Sequence, residues 1–219
     1  MRVSDERIVA VQTADTSLEG ALAVPADAKG IVLFAHGSGS SRHSPRNIHV
    51  AEELQAGGLG TLLLDLLTPS EEAVDLATRE LRFDIELLGE RLSGAIEWLA
   101  SQEATRGLPI GLFGASTGAA GALVAAARLV DHVGAVVSRG GRPDLAGPDL
   151  PNVKAPTLLI VGGNDPVVIE LNKQAMARMT ALVQLEIVPR ATHLFEEPGT
   201  LEEVARLARD WFVRHLHPR

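Results

Sequence analysis

The sequence predicts an α/β fold in which a doubly wound, mostly parallel sheet of about eight strands carries helices on both faces. Short runs rich in apolar and β-branched residues recur along the chain, with apolar residues at consecutive positions, as in strands buried on both faces. Helical patterns alternate with these runs. The runs are residues 31–34, 61–64, 110–113, 133–137, 157–161 and 185–188.

The predicted helices have recognisable ends. Ser44 followed by Pro45 is typical of an N-cap with proline in the first turn, and the Gly57-Gly58 pair is typical of a helix end. Apolar residues at helical spacing predict two further helices over 83–100 and 201–216. The regular alternation of strand and helix is what a parallel sheet requires.

Two regions fall outside the alternation. The apolar segments 8–11 and 18–24 predict an antiparallel hairpin at one edge of the sheet. Residues 140–156 are rich in Gly and Pro, and they are predicted to be the loosest part of the fold. Since this stretch lies within the 19 residues between Val137 and Thr157, no room is left for a large cap domain.

Composition narrows the class of protein. A chain of 219 residues with 46% hydrophobic residues is long enough for one domain over 1–219. A formal charge of −8 without a Lys/Arg-dense segment argues against nucleic acid as a partner. No run approaches the roughly 20 apolar residues of a membrane span, and the charged start is unlike a signal peptide. We therefore expect a cytoplasmic monomer or small homo-oligomer whose partners are small molecules.

Polar residues follow the predicted strands at their carboxyl ends. In a doubly wound sheet ligands bind at that edge. We therefore expect the functional side chains among the residues that come directly after the strands. These residues are His36-Gly37-Ser38, Asp65, Ser116, Arg139, Asp165 and His193.

Ser116 is the candidate nucleophile. It lies in Gly114-Ala115-Ser116-Thr117-Gly118, between a predicted strand and an alanine-rich helix. This G-x-S-x-G pattern at a strand-to-helix junction is typical of a nucleophile elbow, in which small flanking residues let a tight turn raise the serine hydroxyl above the sheet. The alternative is a glycine-rich turn packed closely by the helix.

A serine nucleophile needs a base, and the base needs an orienting acid. His193 is the candidate base and Asp165 the candidate acid, each directly after a predicted strand. Asp144, which follows the preceding strand, is a rival acid. The alternatives are structural: His193 would cap the last helix, and Asp165 would belong to a turn before Pro166.

Two backbone N–H groups are expected to stabilise the oxyanion. One is the N–H of Thr117, the residue that begins the alanine-rich helix. The other is the N–H of Ser38, in the turn after the first parallel strand. His36 in the same turn is predicted to be structural. Since no acidic or Cys ligand accompanies His36, His43 and His49 at a known spacing, no metal site is predicted.

Two arginines are expected at the rim of this site. Arg139 follows the strand after the elbow, and Arg42 lies in the loop that carries Ser38. A guanidinium binds a carboxylate through two parallel hydrogen bonds, so both are candidates for binding an anionic substrate. In the alternative interpretation they brace loops by pairing with acidic residues, namely Asp65, Asp84 or Asp144.

The chain resembles an α/β-hydrolase of the dienelactone-hydrolase-like branch, and the similarity covers nearly all of it. The chain order Ser116, Asp165, His193 is that of the superfamily. The resemblance implies a compact serine hydrolase that acts on esters or lactones without a cofactor. Dienelactone hydrolase itself uses a cysteine, which this chain lacks, so its substrate is not carried over. The motifs that carry the resemblance are HGSGSSRHSPRN, FGASTGAA, SRGGRPDLA, LLIVGGNDPV and ATHLFEEPG.

Three activities are compatible with these residues. The first is ester or lactone hydrolysis by Ser116, His193 and Asp165. The second is acyl transfer by the same triad to another acceptor, such as peroxide. The third is ligand binding without catalysis, because a fold does not dictate a function. An intact triad in the expected chain order favours catalysis.

Overall fold

A computed structural model describes residues 6–217 of the chain. Eight strands form one mixed sheet in the order β1-β2-β4-β3-β5-β6-β7-β8. The predicted α/β architecture is confirmed, and the sheet follows the α/β-hydrolase arrangement. The strands are β1 (Arg7–Gln12), β2 (Ser17–Ala23), β3 (Ile31–Ala35), β4 (Gly60–Leu64), β5 (Ile110–Ala115), β6 (Val133–Arg139), β7 (Thr157–Gly162) and β8 (Val183–Val188).

The antiparallel part of the sheet lies at one edge. β1 pairs with β2 as a hairpin, as predicted, and β2 runs antiparallel to β4. The N–H of Thr13 donates to the carbonyl of Thr16 at 2.8 Å and closes the hairpin. From β4 onward every neighbouring pair is parallel, so the carboxyl ends of six strands meet at one edge.

Helices cover both faces. α1 and α6 pack together over one face, where they bury residues such as Val50 and Phe212 against β4 and β6. α3 and α4 cover the other face. The helices are α1 (Pro45–Ala56), α2 (Pro69–Thr78), α3 (Ile85–Ser101), α4 (Thr117–Arg128), α5 (Pro166–Met176) and α6 (Thr200–His215).

α1 begins where the sequence predicts. The Ser44 hydroxyl accepts a hydrogen bond from the N–H of Asn47 at 3.4 Å, and Pro45 occupies the first turn. Proline is favoured there because its missing N–H would have no partner within the helix. This places the N-terminus of α1 at the same edge of the sheet as the strand ends.

The Gly- and Pro-rich stretch 140–156 is better packed than predicted. Most of it forms a 3-10 segment, Pro143–Asn152, with a kink at Gly147. Ala146, Leu150 and Val153 are buried in the same core layer as α4. Helical periodicity could not reveal this burial because the prolines and glycines interrupt it. The segment is a short packed connection, and it forms no cap domain.

Within residues 6–217, no helix combines the length and the apolar character that a membrane crossing requires.

Leu150 tests whether this connection belongs to the core. Leu150→Ala removes a fully buried side chain, and we expect it to lower the free energy of unfolding by about 2–5 kcal/mol. Leu182→Ala, at a side chain that is 60% exposed, is the matched control and should change stability by less than about 0.5 kcal/mol. Urea denaturation followed by circular dichroism measures both. Equal losses in the two variants would contradict the assignment.

Candidate active site

Ser116 occupies a strained turn between β5 and α4. Its φ of 50° and ψ of −121° lie outside the regions that L-residues favour. A Cβ added at Gly114 would lie 2.4 Å from the Cα of Ala119, and one at Gly118 would lie 2.4 Å from the carbonyl oxygens of Ala35 and His36. The two glycines of the motif are therefore required by backbone contacts.

The turn is also held by the neighbouring strand. The N–H of Ser116 donates to the carbonyl of Arg139 at 3.2 Å. The carbonyl of Ser116 accepts hydrogen bonds from the N–H groups of Ala119 at 3.2 Å and Arg142 at 3.1 Å. The end of β6 and the residues after it thus fix the peptide groups of the elbow.

Asp165 and His193 form the predicted acid–imidazole pair. Asp165 is the N-cap of α5; its Oδ1 accepts from the N–H of Val168 at 3.4 Å, and its Oδ2 lies 2.8 Å from Nδ1 of His193. An ionised carboxylate only accepts hydrogen bonds, so this contact assigns the proton to Nδ1 and leaves Nε2 free to act as a base. The rival acid, Asp144, pairs instead with Arg142 through both carboxylate oxygens, at 2.8 and 2.7 Å.

The histidine loop meets the strand that holds the elbow. A Cβ added at Gly140 would lie 3.0 Å from the carbonyl oxygen and 3.6 Å from Cε1 of His193. Gly140 directly follows Arg139, whose carbonyl binds the N–H of Ser116. The imidazole therefore lies at the same strand end as the serine.

The turn after β3 reaches the elbow from the other side. A Cβ added at Gly37 would lie 3.1 Å from Cβ of Ser116. The hydroxyls of Ser38 and Thr117 are 2.9 Å apart, so the two residues predicted to supply the oxyanion donors are adjacent. Nε2 of His36 accepts from the N–H of Leu66 at 3.1 Å, which gives this histidine a backbone-bracing contact.

A cavity of about 210 Å³ opens beside Ser38 and Thr117. Its apolar walls come from Leu66, Leu67 and Leu76. Residues of α2 and Arg82 also line the cavity. The acidic pair Glu71-Glu72 in this segment is a pattern more typical of a solvated helix face. The cavity therefore extends from the turn after β3 to α2.

An ion pair between Asp75 and Arg82 forms part of the charged wall of this cavity. The guanidinium of Arg82 contacts the carboxylate of Asp75 at 2.5 Å, and the N–H of Arg82 donates to the same carboxylate at 3.0 Å. Burial of Asp75 opposes its ionisation, but these hydrogen bonds and the charge of Arg82 outweigh it and lower the pKa. The signal that could have located α2 is Thr68-Pro69-Ser70-Glu71, which forms a capping box.

The model of the dienelactone hydrolase family matches residues 18–216. The chain belongs to the dienelactone hydrolase family. The crystal structure of dienelactone hydrolase from Anabaena variabilis is similar over 99% of this chain and 100% of that one, with a TM-score of 0.97 and 57% identity. Est1E from Butyrivibrio proteoclasticus, at 13% identity, shares the fold over 94% of this chain and 98% of its own, with a TM-score of 0.79.

Two curated relatives are longer than this family member. Proteins from two strains of Mycobacterium tuberculosis, each named "Putative phosphoribosyl transferase", are 60% identical over 208 residues. The match covers 95% of this chain and 46% of each relative. The chain therefore spans about half the length of the curated relatives it matches.

The structure separates the two arginines of this family member. Arg42 donates to Glu19 at 2.6 Å and to Asp65 through both its guanidinium and its backbone N–H, the latter at 2.6 Å. These are the contacts of the loop-bracing interpretation. Arg139 is buried, and its Nη2 donates to Oδ1 of Asn47 at 3.3 Å. Among residues 6–217, no three His, Asp or Glu side chains are grouped so as to hold a metal ion.

His36 predicts a dependence of stability on pH. Burial lowers the pKa of its imidazole, against the opposing effects of Gly37, Asp65 and Glu72. The folded state therefore binds fewer protons than the unfolded state below the ordinary histidine pKa of about 6.5, and stability falls as the pH drops from there toward the lowered pKa. As the pH falls through this range, we expect the free energy of unfolding of the wild type to decrease by up to about 1.4 kcal/mol per pH unit more than that of His36→Gln, whose side chain does not titrate.

Urea denaturation at pH 7.5, 6.5 and 5.5 measures this difference. His43→Gln, at an exposed histidine of the same turn, is the matched control and should follow the wild type. Parallel curves for the wild type and His36→Gln would show that His36 does not titrate in this way.

Proposed function

We propose that the chain is a serine hydrolase that cleaves small carboxylic esters or lactones through an acyl-enzyme intermediate. The observation that carries this proposal is the 2.8 Å contact of Asp165 with His193, at the strand edge where the elbow presents Ser116. A nucleophile, a base and an orienting acid in this order are the components of a triad. Membership of the dienelactone hydrolase family supports the assignment.

Each residue has one role in the proposed mechanism. Nε2 of His193 takes the proton as Oγ of Ser116 attacks the substrate carbonyl, while Asp165 keeps the imidazole in the required tautomer. The N–H groups of Thr117 and Ser38 stabilise the negative oxygen of the tetrahedral intermediate. The C–O bond to the alcohol then breaks, and His193 donates the proton to the leaving oxygen. Water then attacks the acyl-enzyme and gives a proton to Nε2 of His193. The C–O bond to Ser116 breaks, His193 returns the proton to Oγ of Ser116, and the carboxylic acid is released.

The name of the Mycobacterium tuberculosis relatives does not alter this proposal. It describes proteins of which this chain spans about half the length. The match to these relatives covers 95% of this chain, and the dienelactone hydrolase family model matches residues 18–216, so the two overlap over most of the chain. We therefore assign the hydrolase chemistry to this chain and no transfer of a phosphoribosyl group.

Removal of the serine hydroxyl tests the nucleophile. Ser116→Ala should lower kcat for p-nitrophenyl acetate by about 10⁴-fold or more, since the triad acts as a unit, and it should abolish labelling by a fluorophosphonate. Ser101→Ala, at the end of α3, is the matched control and should keep both. Wild-type turnover in folded Ser116→Ala would refute the assignment.

Histidine protonation provides a second check within the same experiment. Because a protonated imidazole cannot accept the serine proton, kcat/KM of the wild type should fall at acid pH. His193→Gln should lack activity across the range, while circular dichroism shows it folded.

The size of the cavity predicts a preference for short acyl chains. A volume of about 210 Å³ and the lack of a cap suit acetate and butyrate esters better than long-chain esters. Leu76 at its wall is 71% exposed, so Leu76→Ala widens the cavity without a loss of core packing. We expect it to raise the octanoate-to-butyrate ratio of kcat/KM by about two- to tenfold. Leu182→Ala is the control, and an unchanged ratio in Leu76→Ala would place the acyl chain elsewhere.

A further inference from the structure

Arg139 is a buried cation that has no acidic partner within residues 6–217. The residue is 7% exposed, and it lies on the same side of β6 as Ala135 and Val137, which belong to the core layer under α1 and α6. Its Nη2 donates to Asn47 at 3.3 Å. Its Nε and Nη1 are shielded from solvent and have no hydrogen-bond partner among the described residues.

The three carboxylates considered as partners of Arg139 in the sequence analysis have other hydrogen-bond partners. Asp65 binds Arg42, and Asp144 binds Arg142. Asp84 accepts the N–H of Leu87 and caps α3. An unpaired buried charge is costly, so this arrangement calls for a compensating anion.

Arg46 lies next to Asn47 in the first turn of α1, and the Asn47 side chain is the hydrogen-bond partner of Arg139. Burial, together with the positive charge of Arg46, lowers the pKa of Arg139 to about 10. Nε of Arg46 is also shielded and unpartnered within the described part of the chain. The charge that acts on Arg139 is thus that of another cation, Arg46.

Arg46 is partly accessible to solvent. Its side chain is 33% exposed, and its Nη1 lies 3.5 Å from Glu196, which is 65% exposed. An ion pair this long and this exposed holds the guanidinium weakly. Arg46 lies in the first turn of α1, whose N-terminus carries a partial positive charge and also favours an anion.

Arg139 lies beside the proposed catalytic residues. Arg139 is the register partner of Ala115, the residue before Ser116, and its carbonyl accepts the N–H of Ser116. Gly140, the next residue, contacts the loop that carries His193. A group bound between the arginines would therefore lie close to the reacting end of a bound ester.

We propose that Arg139 and Arg46, with Asn47 at the start of α1, form a binding site for an anionic group, a carboxylate or a phosphate, next to Ser116. The planar forks of the two guanidinium groups donate hydrogen bonds to the oxygens of such a group. The anion satisfies Nε and Nη1 of Arg139 and Nε of Arg46. It is supplied either by the substrate itself or by a free anion.

The binding test does not depend on the proposed function. Inorganic phosphate and succinate are titrated into the full chain at constant ionic strength, and the melting temperature is measured. We expect a saturable increase in Tm for the wild type with at least one of the two anions, none for Arg139→Gln and a smaller one for Arg46→Gln. Arg206→Gln removes an exposed arginine that is already paired with Glu203 and Asp210, and it should respond like the wild type.

Two results would overturn the site. One is the lack of a saturable increase in Tm for the wild type with either anion. The other is an equal increase in the wild type, Arg139→Gln and Arg46→Gln, with isothermal titration calorimetry as a second readout. Because Arg46 is partly exposed, Arg46→Gln keeps the test decisive even if Arg139→Gln fails to fold.

The source of the anion is decided by kinetics, and this arm rests on the proposed function. The p-nitrophenyl esters of butyrate and of succinate, the second with a free carboxylate, are compared in the wild type and in Arg139→Gln. If the substrate supplies the anion, the variant loses about tenfold to a hundredfold in kcat/KM on the charged ester alone, and phosphate competes with it. If a free anion binds instead, Arg139→Gln changes kcat/KM equally on both esters, while the Tm of the wild type still rises with phosphate or succinate. Failure of the wild type to cleave either ester refutes the hydrolase and leaves the binding result intact.

Discussion

The close approach of α4 to the middle of the sheet is the constraint on which the rest of the site depends. Gly118 lies against the carbonyl oxygens that end β3, and Gly114 lies against the backbone of α4. Any side chain at either position would push the helix away and relax the turn at Ser116. The strain of that turn, about 1–3 kcal/mol, is offset by burial, since the residues from Thr117 to Ala126 are buried without exception.

The same closeness explains how remote parts of the chain meet. Parallel strands bring their carboxyl ends to one edge, and short connections leave little freedom beyond them. Asp165 divides its carboxylate between the first turn of α5 and the imidazole of His193. The cap that starts a helix and the contact that orients the proposed base are therefore one group. A loss of the carboxylate would disturb the helix end and the imidazole together.

Local patterns made much of the fold and the positions of Ser116, Asp165 and His193 at the strand ends predictable, and tertiary contacts account for the rest. The strands and Ser116 could be located because their signals lie in adjacent residues. Buried side chains in the stretch 140–156 escaped prediction because prolines and glycines hide the helical period. For α2, the acidic pair Glu71-Glu72 favoured a solvated helix face over a pocket wall, and sequence could not show that Asp75 is buried beside the cavity through its pairing with Arg82. Sequence also could not distinguish Arg42 from Arg139, since pairing depends on which carboxylates the folded chain brings near.

The net negative charge of the chain makes the difference between the paired Arg42 and the unpaired Arg139 informative. Asp and Glu outnumber Lys and Arg by 28 to 20, so carboxylates are abundant. Another arginine with little exposure, Arg91, forms ion pairs with two of these carboxylates, those of Asp15 and Glu71. Against this background, the guanidinium of Arg139 is costly to the folded state, because it is buried and has no acidic partner among the described residues. A cost of this kind at a site edge is typical of residues kept for binding, since a bound anion offsets it.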